Sequence, residues 1–320
     1  MTVFTRVSPD GIGRVPLLTH AACCAETAPQ WIDERRDEIN ATLLQHGAIL
    51  FRGLGITDAL AFQSLVRSLG DSAIDYTYRS TPRTKILKDV FSATEYHPRL
   101  EIPLHNENAY QRSWPMRVAF CCIRPSAMGG QTPLADMRAV TRALPPALLE
   151  SLEQRRVSYI RHYHPGIDLT WEEAFQCDSQ AEVARFCQAN EIEYEWLDGL
   201  LRTTHISQGT SVHPQTRERL FFNQAHLFHI SSLGKESAKT MIEAFGRDRL
   251  PRHARYADGG EFPEEALEAV RQALQQESIM FEWQPGDVLL LDNMQFAHGR
   301  KPFSGRREHL AALLSLHSHA

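Results

Sequence analysis

The chain has 320 residues, of which 42% are hydrophobic and 23% are charged, and its formal net charge is -5 at a sequence pI near 6.3. This composition is typical of a globular protein with a sizeable core, and the mildly acidic balance predicts that nucleic acid is not a partner. No apolar stretch has the length of a membrane span and residues 1–16 lack the pattern of a signal peptide, so we expect a soluble, cytoplasmic protein with no membrane partner.

Hydrophobic periodicity divides the chain into short elements. Near the N-terminus it predicts a helix at 29–45, a buried strand at 48–52 and a helix at 57–69. The middle of the chain has strand-like runs at 116–123, 157–163 and 219–223, and helical spacing at 137–154, 171–190, 235–245 and 263–276. The C-terminal part predicts strands at 278–283, 288–292 and 308–316.

These elements show no regular alternation of strand and helix. They therefore predict a mainly β protein, an antiparallel barrel or sandwich with surrounding helices. No change in composition separates the halves, so we expect one domain over 1–320. Within it, we expect a helical N-terminal part at about 1–75 and a β core at about 76–320, with a helical insert at about 165–275.

Two distant segments carry candidate metal ligands. His105 and Glu107 are separated by one residue, and side chains at that spacing point to the same side of an extended segment. His298 follows the predicted strand at 288–292, whose end we expect Asn293 to orient. Two histidines and one carboxylate cover one face of an octahedron and leave the other face open, which is the arrangement of non-haem iron(II) sites.

An arginine stands near the second histidine. Arg307 lies nine residues after His298, and a planar guanidinium suits the distal carboxylate of a dicarboxylic cosubstrate. Arg306 is the nearest alternative.

Together, these segments resemble the taurine dioxygenase (TauD/TfdA-like) family of iron(II)/2-oxoglutarate oxygenases. They are most similar to its HxE branch, which includes syringomycin-type aspartyl hydroxylases and clavaminate-synthase-like enzymes. The similarity extends over about 47–316 and rests on residues 47–53, 101–107, 129–136, 222–226 and 286–307. It implies a double-stranded β-helix, or jelly-roll, core.

The resemblance also implies roles for individual residues. His105, Glu107 and His298 would ligate Fe(II), while Thr132 and Arg307 would bind the distal carboxylate of 2-oxoglutarate, with O2 as the second cosubstrate. Most members of the family have Asp where this chain has Glu107. Related halogenases lack the carboxylate altogether, so Glu107 favours oxygenation over halogenation.

The predicted substrate class rests only on the resemblance to this branch of the family. It implies hydroxylation of an aliphatic carbon in an amino acid or peptide-like natural-product intermediate, free or tethered to a carrier protein, with release of succinate and CO2. Desaturation or cyclisation at the same site stays open, because small differences in substrate placement separate these outcomes. Homo-oligomerisation also stays open. Residues that we expect near the substrate are Arg79, Asn106, Tyr110, Asn223 and His226.

Two other functions compete with this hypothesis. His162 and His164, with Glu172 after them, resemble the ligand pattern of a cupin-like metal hydrolase or isomerase. The chain could also form a barrel without catalytic activity.

Overall fold

The computed structural model describes residues 4–5, 15–19, 24–74, 78 and 80–318. Its strands are β1 (Phe4–Thr5), β2 (Leu17–Thr19), β3 (Ala48–Arg52), β4 (Lys85–Leu87), β5 (Val90–Ser92), β6 (Ile102–His105), β7 (Ser113–Arg124), β8 (Met128–Gly129), β9 (Leu134–Asp136), β10 (Val157–His162), β11 (Ile192–Leu197), β12 (Leu200–Ser207), β13 (Thr210–Val212), β14 (Arg219–Phe221), β15 (Arg252–Tyr256), β16 (Ser278–Ile279), β17 (Val288–Asp292), β18 (Phe296–Arg300), β19 (Phe303–Ser304) and β20 (Glu308–Ser318).

Its helices are α1 (Ala28–Asp33), α2 (Arg36–His46), α3 (Ala59–Ser68), α4 (Met137–Ala143), α5 (Pro146–Arg155), α6 (Trp171–Phe175), α7 (Gln180–Ala189), α8 (Ala225–Phe228), α9 (Lys235–Phe245) and α10 (Glu264–Gln276), with 3-10 turns at Ile230–Leu233 and Arg247–Arg249. None of these helices is both long enough and apolar enough to cross a bilayer.

Two sheets form the β core. The larger has the strand order β1-β2-β3-β17-β7-β20-β5-β4, and the second has the order β16-β9-β18-β6. In the first sheet β17 lies antiparallel to both β3 and β7, and in the second β18 lies antiparallel to both β6 and β9. Neighbouring strands are thus far apart in sequence, and the predicted mainly β fold with surrounding helices is confirmed.

The central strands β3 and β17 of the larger sheet are buried on both faces, as their continuous apolar sequences require. In β3, Leu50 belongs to a cluster with Phe296 of the second sheet, whereas Phe51 belongs to a cluster with Phe62 of α3. Successive side chains point to opposite faces of a strand, so one face meets the second sheet and the other meets the N-terminal helices.

A third sheet, β11-β12-β10-β15, lies in the part of the chain that was predicted to be a helical insert. Residues 165–275 contain helices α6 to α10, but they also contain strands β11 to β15. The sequence did not reveal β11 because Glu193, Tyr194 and Glu195 are exposed, so this strand carries no apolar alternation.

Several predicted elements have different bounds in the structure. Each of the helices predicted at 29–45, 137–154 and 171–190 is two helices. Between α4 and α5 the break falls at Pro145-Pro146, since proline disfavours helical geometry in the residue before it. Between α6 and α7, Gln176 adopts a left-handed conformation with φ 55°. Of the strand predicted at 278–283, only Ser278–Ile279 is paired.

Candidate metal and cosubstrate site

Strand pairing brings the two candidate histidines together. His298 of β18 lies directly opposite His105 of β6 in the antiparallel register, so their side chains stand on the same face. The imidazole centroids are 4.6 Å apart. Glu107 follows the end of β6, and its Oε2 lies 3.7 Å from His298 Nε2. One ligand atom from each of the three residues lies within 4.8 Å of the others, so this group could hold one divalent ion.

Asn293 fixes the backbone of the glutamate. Its Oδ1 accepts the Glu107 N–H at 2.7 Å, and its Nδ2 donates to the Glu107 carbonyl at 2.9 Å and to the Pro115 carbonyl at 2.8 Å. Asn106 Nδ2 in turn donates to the Asn293 carbonyl at 2.6 Å. Asn293 lies in the turn between β17 and β18, before His298, as expected. Its side chain also ties the Glu107 segment to this turn.

The surroundings of His105 favour the form that binds metals. Its Nδ1 donates to the Pro103 carbonyl at 2.9 Å, which leaves the lone pair of Nε2 available. Removal from water, together with the neighbouring His298, lowers the pKa of His105 to about 4. A metal ion requires a neutral imidazole, so His105 is ready to ligate at neutral pH.

Sequence reasoning missed one buried partner of the site. Arg83 Nη2 lies 2.7 Å from Glu107 Oε2, and both side chains are almost completely buried. Burial alone would raise the pKa of Glu107, but the Arg83 guanidinium, together with His298 and His105, more than offsets this and lowers the pKa below its usual range. Arg83 ends the segment in which Arg79 was predicted to approach the substrate. Arg79 itself lies outside the described residues.

A cavity beside the histidines contains both candidate cosubstrate residues. His105, His298, Thr132 and Arg307 all line it. Thr132 Oγ1 accepts a hydrogen bond from Trp283 Nε1 at 3.0 Å, and its hydroxyl hydrogen remains available to donate. The exposed Arg306 does not line this cavity.

Arg307 has unused donors in this cavity. Its Nη2 contacts His309 Nδ1 at 3.1 Å, while its buried Nε has no hydrogen-bond partner among the described residues. Burial, with a contribution from Arg300, lowers the pKa of Arg307 to about 10, so the group remains a cation at neutral pH. The buried Nε of Arg300 also lacks a partner among the described residues, but both of its terminal nitrogens donate to carbonyls, those of residues 96, 97 and 100. The Arg307 environment thus fits an anionic ligand.

Four described residues that were expected near the substrate are buried, and none of them lines this cavity: Asn106, Tyr110, Asn223 and His226. Asn106 is used in the contact with Asn293, and the Tyr110 hydroxyl donates to the Tyr78 carbonyl at 2.9 Å. Asn223 Oδ1 accepts the N–H of Ala225, at the first residue of α8.

His226 supports the strand that carries a candidate ligand. Its Nε2 donates at 3.1 Å to the carbonyl of Leu104, the residue before His105.

The cupin-like alternative has no comparable geometry in the described part of the chain. His162 Nδ1 donates to the Leu250 carbonyl at 2.8 Å, and His164 Nε2 donates to the Arg249 carbonyl at 3.0 Å. Their ring centroids are 6.1 Å apart, and Glu172 is exposed on α6. Residues 162, 164 and 172 do not form a group whose ligand atoms converge.

The chain is similar to known proteins over most of its length. The model of the "Taurine catabolism dioxygenase TauD, TfdA family" matches residues 22–314. The dapdiamide synthesis protein DdaC of Enterobacter agglomerans is 39% identical over 308 residues, covering 95% of this chain and 92% of that protein. A clavaminate synthase-like protein of Arabidopsis thaliana is 26% identical, covering 89% of this chain and 86% of that protein.

Solved structures share the fold. A crystal structure of PvcB from Pseudomonas aeruginosa superposes with a TM-score of 0.53 at 17% identity, covering 94% of this chain and 85% of that one. PvcB is also described as an Fe, alpha-ketoglutarate dependent oxygenase from an isonitrile synthetic pathway. This similarity confirms the predicted jelly-roll fold.

Proposed function

Because the chain belongs to the TauD/TfdA family and is an Fe(II)/2-oxoglutarate-dependent oxygenase, we propose that it hydroxylates an aliphatic carbon of an amino acid or peptide-like intermediate in natural-product biosynthesis. The observation that carries the proposal is the convergence of His105, Glu107 and His298 beside the cavity lined by Thr132 and Arg307.

In this proposal His105, Glu107 and His298 hold the iron. Two imidazoles and one carboxylate are the ligand set of non-haem iron(II) oxygenases, and they leave open positions for a chelating cosubstrate and O2. The opposed positions of His105 and His298 in neighbouring strands support this assignment. So does the hydrogen bond from His105 Nδ1 to a carbonyl, because it leaves Nε2 free for the metal.

Thr132 and Arg307 are assigned to 2-oxoglutarate. A distal carboxylate would receive hydrogen bonds from the Thr132 hydroxyl and from the guanidinium of Arg307, whose Nε is otherwise without a protein partner in the described residues. A charge-assisted bond to a partly buried arginine is stronger than a neutral one. Trp283 holds the Thr132 oxygen in place, so this part of the cavity is organised before the ligand arrives.

The bound iron supplies the power to oxidise an unactivated carbon, with 2-oxoglutarate and O2 consumed and succinate and CO2 released. The chain's own residues orient and enclose the reactants. Arg83 keeps Glu107 ionised, and Asn293 keeps its backbone in register with β18. The Phe120 ring packs edge-on against the His298 ring, with their centroids 4.9 Å apart, and helps to fix the orientation of that imidazole.

The substrate class is supported by relatives. DdaC acts in dapdiamide synthesis by its name, and the Arabidopsis relative is named for its likeness to clavaminate synthase. A screen of amino acids, free and loaded on a carrier protein, should give a product that has gained one oxygen atom. A product that has instead lost two hydrogen atoms would contradict hydroxylation.

The cofactor assignment can be tested by spectroscopy. Anaerobic addition of Fe(II) and 2-oxoglutarate should produce the weak visible metal-to-ligand band, and admission of O2 should then produce succinate. His105→Ala should lose both the band and the succinate, because one histidine ligand of the ion is gone. His164→Ala is the matched control, since His164 lies outside the ligand group, and it should retain both signals. Absence of the band in the wild type, or its persistence in His105→Ala, would overturn the assignment.

A further inference from the structure

A second group of metal-ligand side chains lies around the edge strand of the third sheet. His253 belongs to β15, His229 lies between α8 and the following 3-10 turn, and Glu261 lies between β15 and α10. Glu261 Oε2 is 3.0 Å from His253 Nε2 and 3.9 Å from His229 Nε2. We propose that His229, His253 and Glu261 form a second divalent-metal site, suited to zinc, which shares no residue with the iron site.

The two contacts of Glu261 differ in kind, because its contact with His253 Nε2 has the length of a hydrogen bond and its contact with His229 Nε2 does not. At 3.9 Å, the separation of His229 Nε2 from Glu261 Oε2 is too long for a hydrogen bond. Ligand atoms about 2.0–2.1 Å from a tetrahedral zinc lie about 3.3 Å from one another, and the two observed separations fall on either side of this value. The imidazole centroids of the two histidines are 4.7 Å apart, so both rings can reach one ion.

The hydrogen bonds of the His229 ring show what metal binding requires there. His229 Nδ1 accepts the backbone N–H of Ser231 at 3.2 Å and lies 2.8 Å from Ser231 Oγ. A neutral ring whose Nδ1 accepts carries its proton on Nε2, so an ion that binds Nε2 must shift that proton to Nδ1, and the bond from the amide is then replaced by one that Nδ1 donates to Ser231 Oγ. Arg271 Nη2 donates to the same hydroxyl oxygen at 3.3 Å and holds it in place. A histidine ligand whose second nitrogen donates to a fixed acceptor is the usual arrangement in metal sites.

The ligand types and neighbouring charges define which ion fits. Two imidazoles and one carboxylate favour zinc over magnesium or calcium, which prefer oxygen ligands. Arg247 and Arg271 act electrostatically on His229 and oppose a cation, so we expect weaker binding than in a closed structural zinc site. Three protein ligands leave a fourth position for water, and His253 and Glu261 border a cavity that solvent can reach.

The ion would link three segments that are separate in sequence. Glu261 is 62% exposed at its side chain, whereas His229 is 6% exposed and His253 is 13% exposed. The carboxylate is thus the solvent-exposed ligand of a site whose two imidazoles are largely buried. Binding would stabilise the start of α10 against β15.

Zinc binding to the full-length protein tests this site. The iron site is first removed with the double substitution His105→Ala and His298→Ala, and chelator-treated protein is titrated with Zn²⁺ by equilibrium dialysis and metal analysis. This background should bind one zinc per chain, and adding His253→Ala should weaken binding by about tenfold or more. Glu261→Gln changes an exposed side chain and should weaken zinc binding while leaving the circular dichroism spectrum unchanged. His164→Ala is the control and should bind zinc as the background does.

Cobalt gives an independent readout of geometry. Co²⁺ added to the same background should show the intense d–d absorption of a four-coordinate ion, and Ser231→Ala should reduce its affinity because His229 loses its acceptor. No bound zinc in the background, or equal zinc binding in the background, in His253→Ala and in Glu261→Gln, would overturn the proposal. The outcome does not depend on the oxygenase assignment, since both iron-binding histidines are absent.

Discussion

The Glu107 carboxylate has two neighbours, a cation that pairs with it and a histidine with which it could share a metal ion. The same oxygen, Oε2, lies 2.7 Å from Arg83 Nη2 and 3.7 Å from His298 Nε2. Arg83 holds the carboxylate ionised in a buried place where a lone Glu would take up a proton. The arginine therefore positions a candidate ligand without belonging to the ligand set.

Arg83→Gln should weaken Fe(II) binding by about 10–100-fold, because Glu107 loses the charged partner that fixes it. The substitution should also alter the pH dependence. Arg83 lowers the pKa of Glu107, so its removal raises that pKa, and metal binding should be lost at a higher pH than in the wild type as the pH falls. Metal titrations over a pH series measure both effects.

Arg52→Gln serves as the control for this substitution. Arg52 pairs with Asp287 at 2.7 Å, and neither residue lines the cavity beside His105. This variant should bind Fe(II) with the wild-type affinity and pH dependence. If Arg83→Gln behaved in the same way, Arg83 would have no part in positioning Glu107.

At the scale of elements, the sequence predicts strands and helices well where burial gives the apolar residues a regular spacing or an unbroken run. Residues 48–52 and 288–292 read as strands because they are buried on both faces, and α3 reads as a helix because one side faces the sheet. Strand β12 has alternating burial but a mixed polar composition, and it becomes regular only through pairing with β10 and β11. Pairing partners of this kind leave no local pattern.

The candidate site divides in the same way. The His105 and Glu107 spacing and the segment from His298 to Arg307 are local motifs, so the sequence alone could identify them. Arg83 lies outside the helices and strands, so no periodic pattern in the sequence predicts that it contacts Glu107. The hydrogen bonds from the Asn293 side chain to the Glu107 backbone also join residues 186 positions apart, which only the folded chain reveals.

A partly buried ion pair outside the cavity links the elements of the third sheet. Asp168, between β10 and α6, binds Arg252 of β15 through both carboxylate oxygens and lies 3.6 Å from Arg161 of β10. Burial alone would raise the pKa of Asp168, but these arginines more than offset it and lower the pKa to about 2. Because the folded pKa is depressed, this stability is present above the unfolded pKa and is lost as the pH falls towards 2.

Asp168→Asn should therefore lower the free energy of unfolding at pH 7 by about 3 kcal/mol, since a neutral amide replaces the carboxylate that faces the buried Arg161 and the half-buried Arg252. The difference in the free energy of unfolding between this variant and the wild type should stay constant above about pH 4 and decrease between pH 4 and pH 2. Urea unfolding over this pH range gives the measurement. Asp258→Asn removes a solvent-exposed partner of Arg155 and should cost much less. Equal losses in the two variants would contradict the ranking by burial.

At the scale of the whole molecule, the candidate iron and cosubstrate residues join the two sheets of the β core. His105 and His298 belong to the second sheet, Thr132 precedes β9, and Arg307 directly precedes β20 of the larger sheet. In the unfolded chain these groups are far apart, so a ligand that needs all of them binds only the folded state. Binding then stabilises the fold by mass action.

Metal and cosubstrate should consequently raise stability in two separable steps. Mn(II), which avoids oxidation in air, should raise the free energy of unfolding, and 2-oxoglutarate at about 100 times its dissociation constant should add about 2.7 kcal/mol. Arg307→Lys should keep the metal increment and lose most of the cosubstrate increment, because an ammonium cannot form two parallel hydrogen bonds to a carboxylate. Arg306 is the exposed neighbour of Arg307, so Arg306→Lys is the matched control and should retain both the metal and the cosubstrate increments in the free energy of unfolding. If Arg307→Lys retained the full cosubstrate increment, the anion would be held elsewhere, and Arg300 in the same cavity would be the next residue to substitute.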